Sequence, residues 1–330
     1  MTLSALHQAV LGYWYRSPDE IGALSRWFGR VGASYARARR RRFQRAQNRV
    51  WQAPAPVIVV GNLTLGGTGK TPLVIALVMQ MLQRGYRPGV VLRGYGGVLG
   101  ARSPVRVDRH SRARQVGDEA VLIENRTHCP IAVCANRVKA AQLLLATGEV
   151  NLIISDDGLQ HYALGRDIEI LVVSGSRHFG NQCCLPVGPL REPMERLDSV
   201  DFVVVNGGTD RQSVRMDLIP DVVLQPVGHN ACVRSLDEIR DQNVHAICGI
   251  GEPGRFFSTL RQCGIDAVCH AFPDHYRYKC KDLIMPGAKL LLTTEKDAVK
   301  LARFADKRIY SLAVNARLPV AFFDGVEALL

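Results

Sequence analysis

Nothing limits the fold of this chain as tightly as Gly66-Gly67-Thr68-Gly69-Lys70-Thr71, which follows the apolar run Val57-Ile58-Val59-Val60 and directly precedes a segment of helical periodicity. Glycines let backbone N–H groups approach anionic oxygens, and a helix amino terminus adds the positive end of its dipole. A lysine and a hydroxyl at the last two positions complete a site for a triphosphate and a Mg²⁺ ion, roles that fall to Lys70 and Thr71. Gly66, Gly67, Thr68 and Gly69 supply the cradle. The pattern G-x-x-x-x-G-K-[ST] asks for glycine at position 64, where Thr64 stands. Strand, Gly-rich loop, Lys-Thr and helix still come in the required order.

Such a loop needs an acid at the end of a second strand to hold the metal or its water shell. Leu152-Ile153-Ile154-Ser155-Asp156-Asp157 offers one, an apolar strand ending in two carboxylates. Alone, Asp-Asp-Gly reads as a turn; beside the phosphate loop it reads as the metal acid. Around these segments strands and helices alternate. Strands are expected at 57–60, 89–92, 131–134, 152–155, 168–173 and 202–205, with helices at 70–83, 118–125 and 137–147. A second alternation has strands at 245–250, 267–270, 289–293 and 309–312 and helices at 255–263 and 298–304, after a connector at 209–227 with an extended stretch. Short apolar strands alternating with helices predict a parallel sheet covered on both faces, with ligands beyond the carboxyl ends of the strands.

The charge is unevenly spread. The chain carries +12 overall, and residues 1–49 hold ten Arg against Asp19 and Glu20, which accounts for +8 of it. Apolar residues at three- and four-residue steps from Leu3 to Val31, interrupted at Ser17-Pro18, predict an aromatic-rich helical segment that runs into Arg39-Arg40-Arg41-Arg42. Such a segment suits an anionic membrane surface, with rings at headgroup depth and guanidinium groups on lipid phosphate. Periodicity alone serves equally well for a helix packed on its own domain. No apolar stretch approaches the roughly 20 residues of a membrane span. Nine cysteines without C-x-x-C or zinc spacing read as free thiols of a reducing compartment, and the first ten residues lack the features of a secretory signal, so a cytoplasmic protein is expected.

Three further loops carry polar residues. Val116-Gly117-Asp118-Glu119 opens a helix, where Asp118 serves as a cap, as a first-turn acid or as something more. Arg93-Gly94-Tyr95-Gly96-Gly97 follows the second strand, and Phe272-Pro273-Asp274-His275-Tyr276 puts a histidine on a loop of the second alternation. Periodicity does not choose among these readings.

Together, Val57 to Pro72, Arg93 to Gly97, Val116 to Glu119, Ala135-Asn136-Arg137, Asp156-Asp157-Gly158-Leu159-Gln160-His161, Leu190-Arg191-Glu192-Pro193, Phe272 to His275 and Thr294-Glu295-Lys296-Asp297 resemble the tetraacyldisaccharide 4'-kinase family, in that family's order. The resemblance implies transfer of the ATP γ-phosphoryl group to the 4'-hydroxyl of a tetraacyldisaccharide 1-phosphate at the cytoplasmic face of the inner membrane, giving lipid IVA. It implies Asp118 as catalytic base, His275 as its assistant from a second domain, and Lys70 on the phosphates. It places Thr71, Asp156, Asp157 and Glu192 near Mg²⁺, and Arg93, Tyr95, Asn136, Arg137, Gln160, His161 and Arg191 at the sugar-phosphate end. Lys296-Asp297 is a candidate for the nucleotide pocket.

The expected architecture is therefore α/β: a membrane-associating, amphipathic and Arg-rich helical segment at 1–50, a P-loop NTPase-like parallel-sheet kinase domain with helices on both faces at 51–212, and a smaller α/β domain at 213–330 that closes over the site. ATP and Mg²⁺ are the expected cofactors; the lipid disaccharide 1-phosphate and the anionic inner-membrane surface are the expected partners, with no nucleic acid and a monomeric protein. Two other readings compete. The loop also resembles that of membrane- or DNA-attached partitioning and division-site ATPase switches, although their signature lysine before the two glycines is Leu65 here. The Arg run would serve a nucleic-acid tether too, with an affinity that falls steeply with salt.

Overall fold

The computed structural model describes residues 10–15, 31–39, 41, 50–208, 213–240 and 242–330. It is a mixed α/β structure dominated by parallel strands. Two compact units are interleaved in sequence. One comprises the chain up to Lys70, Asn151–Asp217 and Leu318–Leu330; the other comprises Thr71–Val150 and Leu218–Arg317. The expected organisation runs instead in consecutive segments, so Asp118 and His275, assigned to different segments, share one unit.

In the first unit β1 (Val57–Gly61) lies between β5 (Leu152–Asp156) and β6 (Ile168–Ser174), and β6 continues to β7 (Phe202–Asn206) and the start of β8 (Val214–Pro226). Every pairing among them is parallel. The strands β1, β5 and β6 are buried at each residue, which is why they read as mainly apolar runs without alternation, with Glu169 of β6 buried against Arg166 and Arg196. The stretch expected as a connector contains β8, a 13-residue strand whose mixed burial hides its period. The helix Val320–Glu327, not expected from the sequence, packs Phe322 edge-on against Phe202 at 5.4 Å.

The second unit begins at Thr71, within α1 (Lys70–Gln83), which buries Leu73, Val74, Ile75, Leu77, Val78 and Met81. There β2 (Pro88–Leu92) runs parallel to β4 (Ile131–Val133), and β3 (Val105–Val107) runs antiparallel to β4. The helices α2 (Asp118–Thr127) and α3 (Arg137–Leu145) both pack against β4. Further on, β10 (Val244–Cys248) lies between β11 (Ala267–Ala271) and β12 (Leu290–Thr294), and β12 pairs with β13 (Ile309–Arg317), all parallel; β9 (Arg234–Ser235) is antiparallel to β8. Alternate residues of these strands feed two cores. Val244, Ala246, Leu290 and Leu292 pack with Phe256 and Leu260 of α4 (Pro253–Gln262) on one face. Ile247, Leu291 and Ile309 pack with Leu301 of α5 (Glu295–Leu301) on the other. This sheet is thus covered by a helix on each face, as its apolar strands require.

Candidate active site

The phosphate loop is shaped by neighbours in the first unit. Buried Asn62 donates to the carbonyls of Thr64 at 2.8 Å and Gly66 at 3.4 Å, and Asn206 at the end of β7 donates to the Thr68 carbonyl at 3.0 Å. Gly69 has φ of +94°, and a Cβ there would come within 2.3 Å of the Asn206 amide, so glycine is required by both conformation and space. The loop carrying Arg191 and Glu192 lies alongside: the Leu65 N–H donates to the Pro189 carbonyl at 2.9 Å and the Arg191 N–H to the Leu63 carbonyl at 2.6 Å.

The acid after β5 meets this loop. Asp157 Oδ1 lies 3.3 Å from Lys70 Nζ, and its Oδ2 accepts from Arg191 Nη1 at 3.0 Å. Burial pushes the Asp157 carboxyl up, but Lys70 and Arg191 outweigh it and hold the group at about 2. Gln160 donates to Glu192 at 3.2 Å and to the Asn62 carbonyl at 3.1 Å. Burial raises the pKa of Glu192, against Gln160, Arg196 and Arg39, whose guanidinium lies 3.7 Å away. Asp156 is 2% exposed at the end of β5. Thus the structure gathers Lys70, Asp157, Gln160, Arg191 and Glu192, contributed by three separate stretches of sequence.

A second cluster lies in the other unit. Gly117 caps α2 with φ of +95°, and a Cβ there would lie 2.7 Å from the Tyr95 carbonyl, so the loops bearing Tyr95 and Asp118 pack backbone to backbone. Asp118 is the first residue of α2 and 5% exposed. Its Oδ1 accepts the Glu119 N–H at 3.1 Å, and its Oδ2 lies 3.1 Å from Nδ1 of His275. Tyr95 sits 4.8 Å from His275, centroid to centroid. On α5, Lys300 Nζ is 3.9 Å from Asp118 Oδ2, and Lys296 Nζ is 3.4 Å from Glu119 and 3.7 Å from Asp274. Burial pushes Asp118 up, yet the hydrogen bond with His275 and the charges of Lys296 and Lys300 hold it below the ordinary carboxylate range; the same hydrogen bond raises His275. A buried, ionised carboxylate with an imidazole on one oxygen has the makings of a proton acceptor.

Other expected site residues have local roles as well. Asn136 is the N-cap of α3, accepting the Val138 N–H at 3.0 Å. Arg137 is buried and donates to the Ala135 carbonyl at 3.3 Å. Arg93 is exposed, and His161 is half-buried in the turn after Asp157. Asp297 is fully buried, accepts the Gly249 N–H at 2.8 Å and pairs with Lys300, so its carboxylate is spent inside the unit. Among the described residues no cluster of three or more His, Cys, Asp or Glu forms a ready metal cage. All nine cysteines are free, and no described helix is long and apolar enough to cross a membrane.

The expected aromatic segment is partly in view. The Trp14 indole donates to the Pro186 carbonyl and the Tyr15 phenol to the Leu65 carbonyl, both at 3.1 Å. These two rings follow the packed reading of the segment. Residues 31–39 are helical, while Trp27, Phe28, Arg40 and Arg42 lie outside the described residues.

A family model described as tetraacyldisaccharide-1-P 4'-kinase matches residues 23–330. The chain belongs to the tetraacyldisaccharide 4'-kinase family. A tetraacyldisaccharide 4'-kinase of Nitrosococcus oceani is 44% identical over 330 residues, covering 99% of this chain and 96% of the relative. One of Hahella chejuensis is 47% identical over 277 residues, covering 83% and 81%, and one of Coxiella burnetii strain RSA 331 is 41% identical over 310 residues, covering 94% and 91%. In fold the chain is similar to a crystal structure of LpxK from Aquifex aeolicus in complex with ATP, with a TM-score of 0.75 and 24% identity over 93% of this chain and 99% of that one.

Within this 4'-kinase family framework, sequence reasoning missed Asn62, Asn206 and Lys300. Asn62 and Asn206 each close an apolar strand, a weak signal for a side chain that serves loop backbone. Lys300 stands four residues after Lys296, which places both on one face of α5.

Proposed function

We propose that this chain transfers the γ-phosphoryl group of ATP to the 4'-hydroxyl of a tetraacylated glucosamine disaccharide 1-phosphate, yielding lipid IVA. The observation that carries the reading is the Asp118–His275 pair at 3.1 Å, standing on family motifs in a chain of the 4'-kinase family. A sugar hydroxyl is a poor nucleophile at neutral pH. As its oxygen bonds to phosphorus and the bond to the ADP oxygen breaks, its proton passes to Asp118, oriented by His275. Lys70 takes the charge spreading over the phosphoryl oxygens, and the loop from Gly66 to Gly69 holds the phosphate chain through backbone N–H groups.

Mg²⁺ favours one or two carboxylates together with phosphate oxygens and water. Thr71, Asp156, Asp157 and Glu192 carry donors of that chemistry and would hold the ion, which when bound neutralises phosphate charge. Asp157 already faces Lys70 and Arg191, cations that a polyphosphate would draw away from it. In the proposed architecture a P-loop NTPase-like domain is joined by a smaller α/β domain. Arg93, Tyr95, Asn136, Arg137, Gln160, His161 and Arg191 serve the sugar-phosphate end. The basic segment at 1–50 attaches a monomeric protein to the anionic inner-membrane surface on its cytoplasmic side, with no nucleic-acid partner. Family membership does not favour an ATPase switch.

The deciding experiment is a kinase assay with ATP, Mg²⁺ and the tetraacyldisaccharide 1-phosphate in detergent. Formation of the 4'-phosphorylated product is expected. Its absence with folded, ATP-binding protein would overturn the reading.

A further inference from the structure

Four observations converge on Lys300. Its side chain is 13% exposed, and its ammonium is pinned by Asp297, whose Oδ1 lies 2.5 Å away and whose side chain is fully buried. Asp297 is itself held by the Gly249 N–H at 2.8 Å and the Thr294 hydroxyl at 3.0 Å, so the lysine has a rigid anchor. The ammonium also lies 5.5 Å from the centre of the Tyr278 ring, whose face favours a cation. From that fixed point it stands 3.9 Å from Oδ2 of Asp118, the same oxygen that His275 meets.

We propose that Lys300 is a positioning residue for phosphoryl transfer: its charge stands beside the one oxygen of Asp118 that His275 meets and leaves the other, Oδ1, to take the acceptor proton. The inference rests on the reading of Asp118 as the proton acceptor. Among the described residues Oδ1 meets only the N–H of Glu119 on its own helix, an N–H that aims the oxygen without adding charge. A structural pair of Lys300 and Asp297 would need no second carboxylate close by. Burying Asp118 works against its ionised form, and a fixed ammonium within about 4 Å offsets that cost. The charged and titratable groups around Asp118 are Glu119, Asp274, His275, Lys296, Asp297 and Lys300. Of the two lysines, Lys296 pairs with Glu119 and Asp274 and lowers Asp118 more strongly from a greater distance, and Lys300 is the one within 4 Å of the carboxylate.

The test uses the full chain in the detergent assay with ATP, Mg²⁺ and the tetraacyldisaccharide 1-phosphate. Lys300→Met should lower kcat about 10-fold to 100-fold with little change in KM for ATP, and should move the acid limb of the kcat profile up by about one to two pH units. Unchanged kcat and an unmoved limb would overturn the proposal. Because the single variant leaves Asp297 buried without its cation, Lys300→Met/Asp297→Asn is measured beside it. A double variant that melts near wild type yet keeps the low kcat and the shifted limb supports the positioning role; one that regains both wild-type values shows a structural pair and overturns it. Lys300→Arg keeps the charge, so its acid limb should stay at the wild-type position, and a limb displaced as in the methionine variant also overturns it. Asp118→Asn in the same assay separates the two levels: if that variant turns over normally, the reading of Asp118 as base fails first.

Discussion

Both units hold a carboxylate among cations, and the two carboxylates are treated in opposite ways. Asp157 lies between Lys70 and Arg191 at hydrogen-bonding distance and is held at about 2, so it stays ionised and its cations are the groups available to phosphate. Asp118 is more deeply buried, meets a histidine rather than a guanidinium, and has its lysine at 3.9 Å instead of in contact. Tight pairing with strong cations suits a carboxylate that holds charge still. A looser arrangement with an imidazole suits one that must accept a proton and give it up again.

The two sites should therefore fail differently. The largest loss is expected at the phosphate loop: Lys70→Met should lower turnover about 10²-fold to 10³-fold by removing charge stabilisation from the transferred group. Asp118→Asn should cost about two orders of magnitude or more while ATP still binds, which equilibrium dialysis with labelled nucleotide would check. His275→Ala should also lose about two orders of magnitude in kcat with nucleotide affinity kept; near-normal turnover would remove His275 from the mechanism and erase the distinction drawn here. Gly69→Ala should destabilise the protein by about 1–3 kcal/mol, read as a lowered urea midpoint, because it strains φ at +94° and drives a methyl into Asn206. Gly85→Ala, with φ of +87° and open space, isolates the conformational part of that cost.

The smallest effect is on pH-dependent stability. His275 has its pKa raised in the folded state, so its contribution is complete below the unfolded value and is lost as pH rises through the folded one. Asp118 is lowered, so its contribution is present above its unfolded pKa and is lost as pH falls through the folded one. The Tm difference between wild type and His275→Ala should therefore be widest between about pH 4 and 6.5 and shrink on either side. A difference that grows steadily to pH 9 would deny the charged pair.

Much of the fold was legible because the buried parallel strands are mainly apolar: β1, β5, β6, β10 and β12 fall within two residues of their expected bounds. The helix α1 was marked by the glycines before it and by apolar positions at helical steps. The strand β8 was not legible, since its burial alternates irregularly and it contains Pro220. Nor was the split into two interleaved units, which depends on which strands pair rather than on where they end. In the candidate sites, Lys70, Asp157, Asp118 and His275 stood out as polar residues on loops next to apolar strands. Their pairing did not: Asp118 and His275 are 157 residues apart, and no local signal joins them. Asn136 shows the limit from the other side, because a helix N-cap explains it without any ligand.

By itself the sequence determined an α/β chain with a phosphate-binding loop, an uneven positive charge and an ordered set of family motifs. These follow from short-range chemistry: the missing side chains of glycine, the period of apolar residues and the charge on each group. Only the tertiary structure decided which carboxylate faces which cation, that one oxygen of Asp118 meets His275 with Lys300 3.9 Å away, and that Trp14 and Tyr15 donate to backbone carbonyls far along the chain. The reason is physical: charge interactions and burial act through a few ångströms of space, and residues far apart in the chain become neighbours only when the sheets assemble.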